Sequence, residues 1–258
     1  MTAHTFSRLL EAKESRGAGY LVLIDPDTLA DARLGSYIRS ASAAGADGFL
    51  VGGSLLLTNA LGEQLKTIKA STELPVVLFP GSLFQISPHA DAILYLVLIS
   101  GRNPDHLIGN HVVAAPILRS MKLETISTGY MLIGTGKTTS AEFMSNTKPI
   151  PNHKPDIAVA HAIAAEMMGM ACLYLDAGSG ADEPVSDAMI AGIRRYSALP
   201  MIIGGGIRTP EAAAQKVTAG ASFVVTGTAT ESQDSTNTIR RFADAIHAAG
   251  GSTKRRTS

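Results

Sequence analysis

Apolar residues along this chain alternate between two patterns, short unbroken runs and longer stretches with helical spacing. Unbroken runs fall at residues 20–24, 48–51, 75–79, 92–98, 124–133 and 171–175. Two more open the segments 199–213 (LPMIIGGGIRTPEAA) and 221–228 (ASFVVTGT). Such runs suit strands covered on both faces, as in a parallel sheet. Between them, residues 29–44, 59–70, 103–118, 156–168 and 185–196 carry apolar residues at helical spacing, and 238–248 supplies a closing helix. Thr209-Pro210-Glu211 reads as the cap and first turn of a further helix. Eight strands alternating with helices predict a (β/α)8 barrel, its helices outside a closed sheet.

The alternation breaks twice. Only residues 82–91 separate the third and fourth strands, and Pro88 falls among them, so a loop or short strand is expected in place of the third helix. Residues 134–154 are rich in Thr, Ser and Pro, which predicts a mobile loop over a site. Pro116 is expected to end the helix that starts at 103.

Composition narrows the class. At 258 residues the chain fits one barrel domain, residues 1–250, followed by a basic tail, 251–258, expected to be disordered. Lys and Arg total 22 and Asp and Glu 22, a balance that argues against a nucleic-acid-binding surface, so any anionic ligand must be met locally. The single cysteine, Cys172, lies in an apolar run and reads as a core residue of a reducing compartment. The polar N-terminus does not read as a signal peptide, and no apolar run is long enough to span a bilayer; the cytoplasm is the expected location.

In a (β/α)8 barrel the strand ends share one mouth. Here that mouth gathers Asp25, Asp27, Ser54, Gly81, Asn103, Tyr130, Asp176 and the glycine turns that follow strands. Gly205 and Gly206 let the backbone turn sharply and present N–H groups at a helix start, which suits a phosphate; Gly227 and Thr228 form a second small-residue turn one strand later. Each turn is equally an ordinary strand-to-helix connection, and the pair together favours phosphate. Asp25 is a hard ligand for Mg²⁺, to which Ser54 could add a hydroxyl, though Asp25-Pro26-Asp27 also reads as a turn that caps the first helix.

The motifs LIDPD (23–27), VGGS (51–54), LFPG (78–81), GRNPDHLIG (101–109), YLDAGSGA (174–181), IGGGIR (203–208) and VVTGT (224–228) together resemble the geranylgeranylglyceryl phosphate synthase family. The likeness covers residues 20–230, and the AGSGA form is closer to the family's second, archaeal and bacterial group than to its heptaprenyl-transferring relatives. The resemblance implies a Mg²⁺-dependent prenyltransferase that joins sn-glycerol 1-phosphate to geranylgeranyl diphosphate and releases diphosphate. It further implies a barrel without its third helix, a homo-oligomer (dimer or hexamer) and peripheral membrane contact through the lipid product. On that template Asp25 and Ser54 bind Mg²⁺. Tyr174, Leu175, Asp176, Ala177, Gly178, Ser179, Gly180, Gly205, Gly206, Gly227 and Thr228 bind glycerol 1-phosphate. Asp176 stands where the family usually has Glu, and is expected to take the proton of the attacking hydroxyl.

Such chemistry needs an apolar pocket that keeps water from the allylic carbon. Leu83, Phe84, Ile93, Tyr95, Val97 and Ile108, around the absent helix, are candidates for it and are also ordinary barrel residues. A phosphosugar isomerase or FMN-type phosphate-binding barrel is the alternative enzyme, although no second acid–base partner or flavin face is evident. A non-catalytic prenyl-lipid binder and a structural oligomer subunit are the alternatives of other classes.

Overall fold

In a computed structural model, which describes residues 4–28, 31–134, 136–227 and 235–257, eight parallel strands close into a barrel. The strands are β1 (Gly19–Ile24), β2 (Gly48–Val51), β3 (Val76–Leu78), β4 (Ala92–Leu98), β5 (Glu124–Gly134), β7 (Cys172–Asp176), β8 (Met201–Gly204) and β9 (Phe223–Thr226). Each pairs with the next, β5 with β7, and β9 returns to β1 through Gly19↔Phe223 to Val22↔Thr226, so no sheet edge is left open. A two-residue strand, β6 (Ile150–Pro151), adds to the upper end of β5.

Helices α2 (Asp31–Ala43), α3 (Leu61–Lys69), α4 (Asn110–Met121), α6 (Pro155–Met167), α7 (Asp187–Tyr196), α8 (Pro210–Ala219) and α9 (Ser235–Thr257) connect the strands or close the chain. They share the larger apolar core with the outward side chains of the sheet. A second core fills the barrel itself with Leu21, Leu50, Val77, Leu94, Ile126, Tyr174 and Phe223. Its floor is stopped by Leu9 of an N-terminal helix, α1 (Thr5–Arg16). The Glu124 carboxylate accepts the first free amides of α1, Thr5 N–H at 2.6 Å and Phe6 N–H at 3.1 Å, which places negative charge where a helix start favours it. Buried Asp47 then ties three elements together, accepting from Tyr20 N–H of β1 at 2.7 Å and contacting His247 of α9 and Arg16 of α1.

No helix forms between β3 and β4. A single 3-10 turn, Leu83–Gln85, stands there, and Asp91 fastens the returning chain by accepting from Val76 N–H and Lys69. Pro116 does not end α4, contrary to the expectation from sequence. It is exposed, as is Val112 four residues earlier, so the carbonyl that loses its partner faces water. The 134–154 connection is more ordered than its composition predicts: besides β6 it carries a short helix, α5 (Ser140–Ser145), capped by the Thr139 hydroxyl on Glu142 N–H. The last helix, α9, is described as far as Thr257. Among the described residues no helix is long and apolar enough to cross a membrane.

Candidate active site

The strand ends converge on one cleft. It starts at Asp176 and Tyr130 over the barrel and passes Phe79, Gly81 and Ser54. From there it descends outside β3 and β4, between Leu83, Ile86, Ile93 and Tyr95 on one side and His111, Ala114 and Leu118 of α4 on the other. The missing third helix is what opens this descent. Leu83, Ile93 and Tyr95 line it as the sequence suggested. Phe84, at 96% exposure, and Ile108, at 60%, point to solvent. The Tyr95 hydroxyl donates to the His111 carbonyl at 2.8 Å and so bridges the two walls. His111 Nε2 lies 2.7 Å from the Leu96 carbonyl, an arrangement that makes Nε2 the protonated nitrogen. Burial holds its pKa below the ordinary value, so the ring stays neutral at pH 7.

At the upper end Asp176 is buried and doubly held. Oδ2 accepts the Tyr130 hydroxyl at 2.7 Å and Oδ1 accepts Gly178 N–H at 2.7 Å. Burial raises its pKa, and these two donors oppose the rise. Burial, reinforced by the neighbouring carboxylate, also raises Tyr130 and Tyr174 well above the usual phenol value, so both phenols stay protonated and Tyr130 can only donate to the carboxylate. Phe79 stacks on Tyr174 at 4.7 Å and meets Tyr130 edge-on at 5.9 Å, a packed aromatic base that keeps water from beneath the carboxylate.

Beside Asp176 the turns after β7 and β8 pack against each other. Gly205 (φ +81) and Gly206 (φ +69) are left-handed, and a Cβ on Gly205 would lie 2.6 Å from Gly178 N. Among the described residues the amides of Gly205 and Gly206 have no internal acceptor, so they are free to hold an anion. Arg208 braces this wall by donating to the carbonyls of Ala181 and Asp182. Gly227 follows β9 next to Leu23; Thr228, the remaining residue predicted for this cradle, lies outside the described residues.

Across the mouth, Asp25 Oδ1 accepts Asp27 N–H at 2.9 Å, and Oδ2 has no hydrogen-bond partner among the described residues. The Ser54 loop faces it: a Cβ on Gly53 would be 3.2 Å from Asp25 Oδ2. Asp27 turns away and accepts from Leu57 N–H and the Thr58 hydroxyl, both at 2.6 Å, which locks the β1 and β2 loops together. Sequence reasoning did not single out Gln64 and Gln85, whose amides fasten these loops from behind by donating to the carbonyls of Pro26 and Gly53. A polar residue inside the abnormally short 82–91 gap was the available signal for Gln85.

A family model described as the PcrB family matches residues 9–246. The chain is 45% identical over 244 residues to a protein of Chitinophaga pinensis named geranylgeranylglyceryl phosphate synthase, covering 95% of this chain and 96% of that protein. A Spirosoma linguale protein of the same name is 45% identical over 223 residues, 86% and 90% of the two chains. The crystal structure of (S)-3-O-geranylgeranylglyceryl phosphate synthase from Thermoplasma acidophilum in complex with substrate sn-glycerol-1-phosphate superposes with a TM-score of 0.89. It is 32% identical and covers 96% of this chain and 99% of that one.

Proposed function

The chain belongs to the PcrB family and is a prenyltransferase of the geranylgeranylglyceryl phosphate synthase type, and from that premise we propose its reaction and the part each residue plays. The substrates are sn-glycerol 1-phosphate and geranylgeranyl diphosphate, and the product is geranylgeranylglyceryl phosphate. The observation that carries this reading is the junction at Asp176, where an apolar cleft built outside the barrel meets a turn of unengaged backbone amides. A long apolar chain and a phosphate can meet there.

The phosphate of glycerol 1-phosphate rests on the amides of Gly205 and Gly206, extended by the turn at Gly178, Ser179 and Gly180 and by the β9 end at Gly227. This anchors the glycerol hydroxyl beside Asp176. The prenyl chain lies down the cleft past Leu83, Ile93 and Ala114, which leaves its diphosphate near Ser54 and Asp25. The hydroxyl oxygen attacks the allylic C1 and forms the ether bond. The C1–O bond to diphosphate breaks, the leaving group keeps the electron pair, and Asp176 receives the hydroxyl proton. Tyr130 holds the carboxylate in place, and the aromatic base excludes the water that would otherwise capture the allylic carbon.

Asp25 and Ser54 fit a Mg²⁺ ion: a carboxylate with one oxygen unpartnered among the described residues stands against the loop that carries the Ser54 hydroxyl, few protein ligands, as suits a cation that keeps water and substrate phosphate in its remaining positions. Bound there, Mg²⁺ would neutralise the leaving diphosphate. Exposed Val112, Val113 and Ile117 on α4 support self-association, for which a mass measurement in solution distinguishes a dimer from a hexamer.

The reaction is tested by incubating the protein with labelled sn-glycerol 1-phosphate, geranylgeranyl diphosphate and Mg²⁺ and separating lipid from water-soluble products. An ether-linked lipid phosphate is expected. Release of diphosphate with only the free prenyl alcohol, or no turnover, overturns the assignment.

A further inference from the structure

The segment that replaces the third helix does more than leave a gap. Gln85, its last residue, is 1% exposed, and its side-chain amide pairs with both backbone groups of Gly53 in the manner of a neighbouring strand. Nε2 donates to Gly53 O at 2.7 Å and Oε1 accepts Gly53 N–H at 3.2 Å. The β2 loop has little freedom to give up this register. Gly52 sits at φ +151 with its missing Cβ only 2.0 Å from the Phe79 carbonyl, and a Cβ on Gly81 would lie 2.3 Å from Gly53 O. Gly53 stands directly against Asp25 Oδ2 and directly before Ser54. Its clamped peptide therefore fixes where the backbone of Ser54 starts relative to the Asp25 carboxylate. Leu83 and Ile86, at either side of Gln85, are walls of the apolar cleft.

We propose that Gln85 is a positioning residue for the diphosphate end of the prenyl substrate: it holds the Gly53-Ser54 peptide in register with Asp25 and fixes that register relative to the cleft wall on the same turn. The proposal rests on the prenyltransferase reading above. A side chain that served stability alone would affect both substrate sites alike. A positioning amide affects the diphosphate site and leaves the glycerol phosphate turn, on the opposite side of the mouth, unchanged.

Melting temperature separates the two. The wild-type protein and Gln85→Ala are each melted alone, with Mg²⁺ plus inorganic diphosphate, and with sn-glycerol 1-phosphate. The wild type is expected to be stabilised by both additions. Gln85→Ala should keep the glycerol phosphate shift, lose most of the Mg²⁺–diphosphate shift, and need about tenfold more Mg²⁺ for half-saturation, the scale of losing a buried hydrogen-bonded pair. Its KM for prenyl diphosphate should rise while KM for glycerol 1-phosphate stays put. Gln85→Met, which keeps the volume and loses both bonds, should give the same split and serves if the alanine variant does not fold. An unchanged Mg²⁺–diphosphate shift, or equal loss of both shifts in a folded variant, overturns the proposal. A wild-type protein that ignores Mg²⁺ and diphosphate but still forms the ether product overturns only the metal-site placement and Gln85 with it; absence of product overturns the reading beneath both.

Discussion

Tyr130 reaches from β5 across to β7 and donates its hydroxyl to Asp176 Oδ2 at 2.7 Å, although in the strand register it is Leu132 that pairs with Asp176. The diagonal places a neutral donor on a buried carboxylate and works against the desolvation that raises its pKa. Tyr130→Phe removes that donor, so the Asp176 pKa should rise further and the acid limb of the kcat–pH profile should move to higher pH. Turnover at pH 7 should fall by about tenfold. A limb that stays in place would uncouple Tyr130 from the proton acceptor.

Asp176→Asn should separate binding from chemistry. Glycerol 1-phosphate affinity should hold, because shape and polarity persist, while turnover drops by on the order of a hundredfold or more. Stability should change in the opposite direction. A carboxyl whose folded pKa lies above its unfolded value stabilises the fold at pH below the unfolded value, and that contribution is lost as pH rises through the folded one. The asparagine variant escapes this loss, so its melting temperature relative to wild type should be higher at pH 8 than at pH 4. Asp176→Glu, which restores the usual family residue, should retain more turnover than the asparagine. If instead the asparagine turns over normally, Asp176 is a turn residue and nothing more.

Much of the fold was legible because two signals agreed. Buried strands such as 92–98 are unbroken apolar runs, and glycine or proline punctuates nearly every turn, so strand positions were read to within a residue or two. The short 82–91 gap likewise announced the missing helix. What stayed hidden depends on three-dimensional partners. Pro116 is tolerated because it faces water, which periodicity does not report. The α5 turn is ordered by the Thr139 cap, and Thr139 also packs against Gly178 in the turn after the neighbouring strand β7. Within the site, chemically distinctive residues such as Asp25 and Asp176 were visible in sequence. Gln85 and Gln64 were not, because a glutamine becomes informative only once the carbonyl it holds is known.

Gly206→Val should weaken glycerol 1-phosphate binding at least tenfold and leave prenyl diphosphate binding closer to normal. Its Cβ would meet the Glu183 carbonyl oxygen at 2.7 Å, and a β-branched residue is strained at φ +69. Calorimetric titration with each substrate provides the check; equal loss of both would mean that the whole turn had collapsed.

Asp25→Asn should lower turnover by on the order of a hundredfold with little change in melting temperature, because it removes a ligand charge from a half-exposed strand end while keeping volume and the hydrogen bond from Asp27 N–H. Raising Mg²⁺ should recover part of the activity. Full activity at ordinary Mg²⁺ would place the cation elsewhere.

Strand β4 faces two ways. Leu94 and Leu96 point into the filled barrel, while Ile93 and Tyr95 point out toward α4 and the cleft. It is therefore a party wall, and inserting or deleting one residue within it would exchange its two faces, sending the Tyr95 ring into the packed interior and leaving the cleft without its bridge to His111. Engineers who wish to resize the lipid-side chamber are thus confined to substitutions along β4. Changes of length belong in the loops above it, where the register of the wall is not at stake.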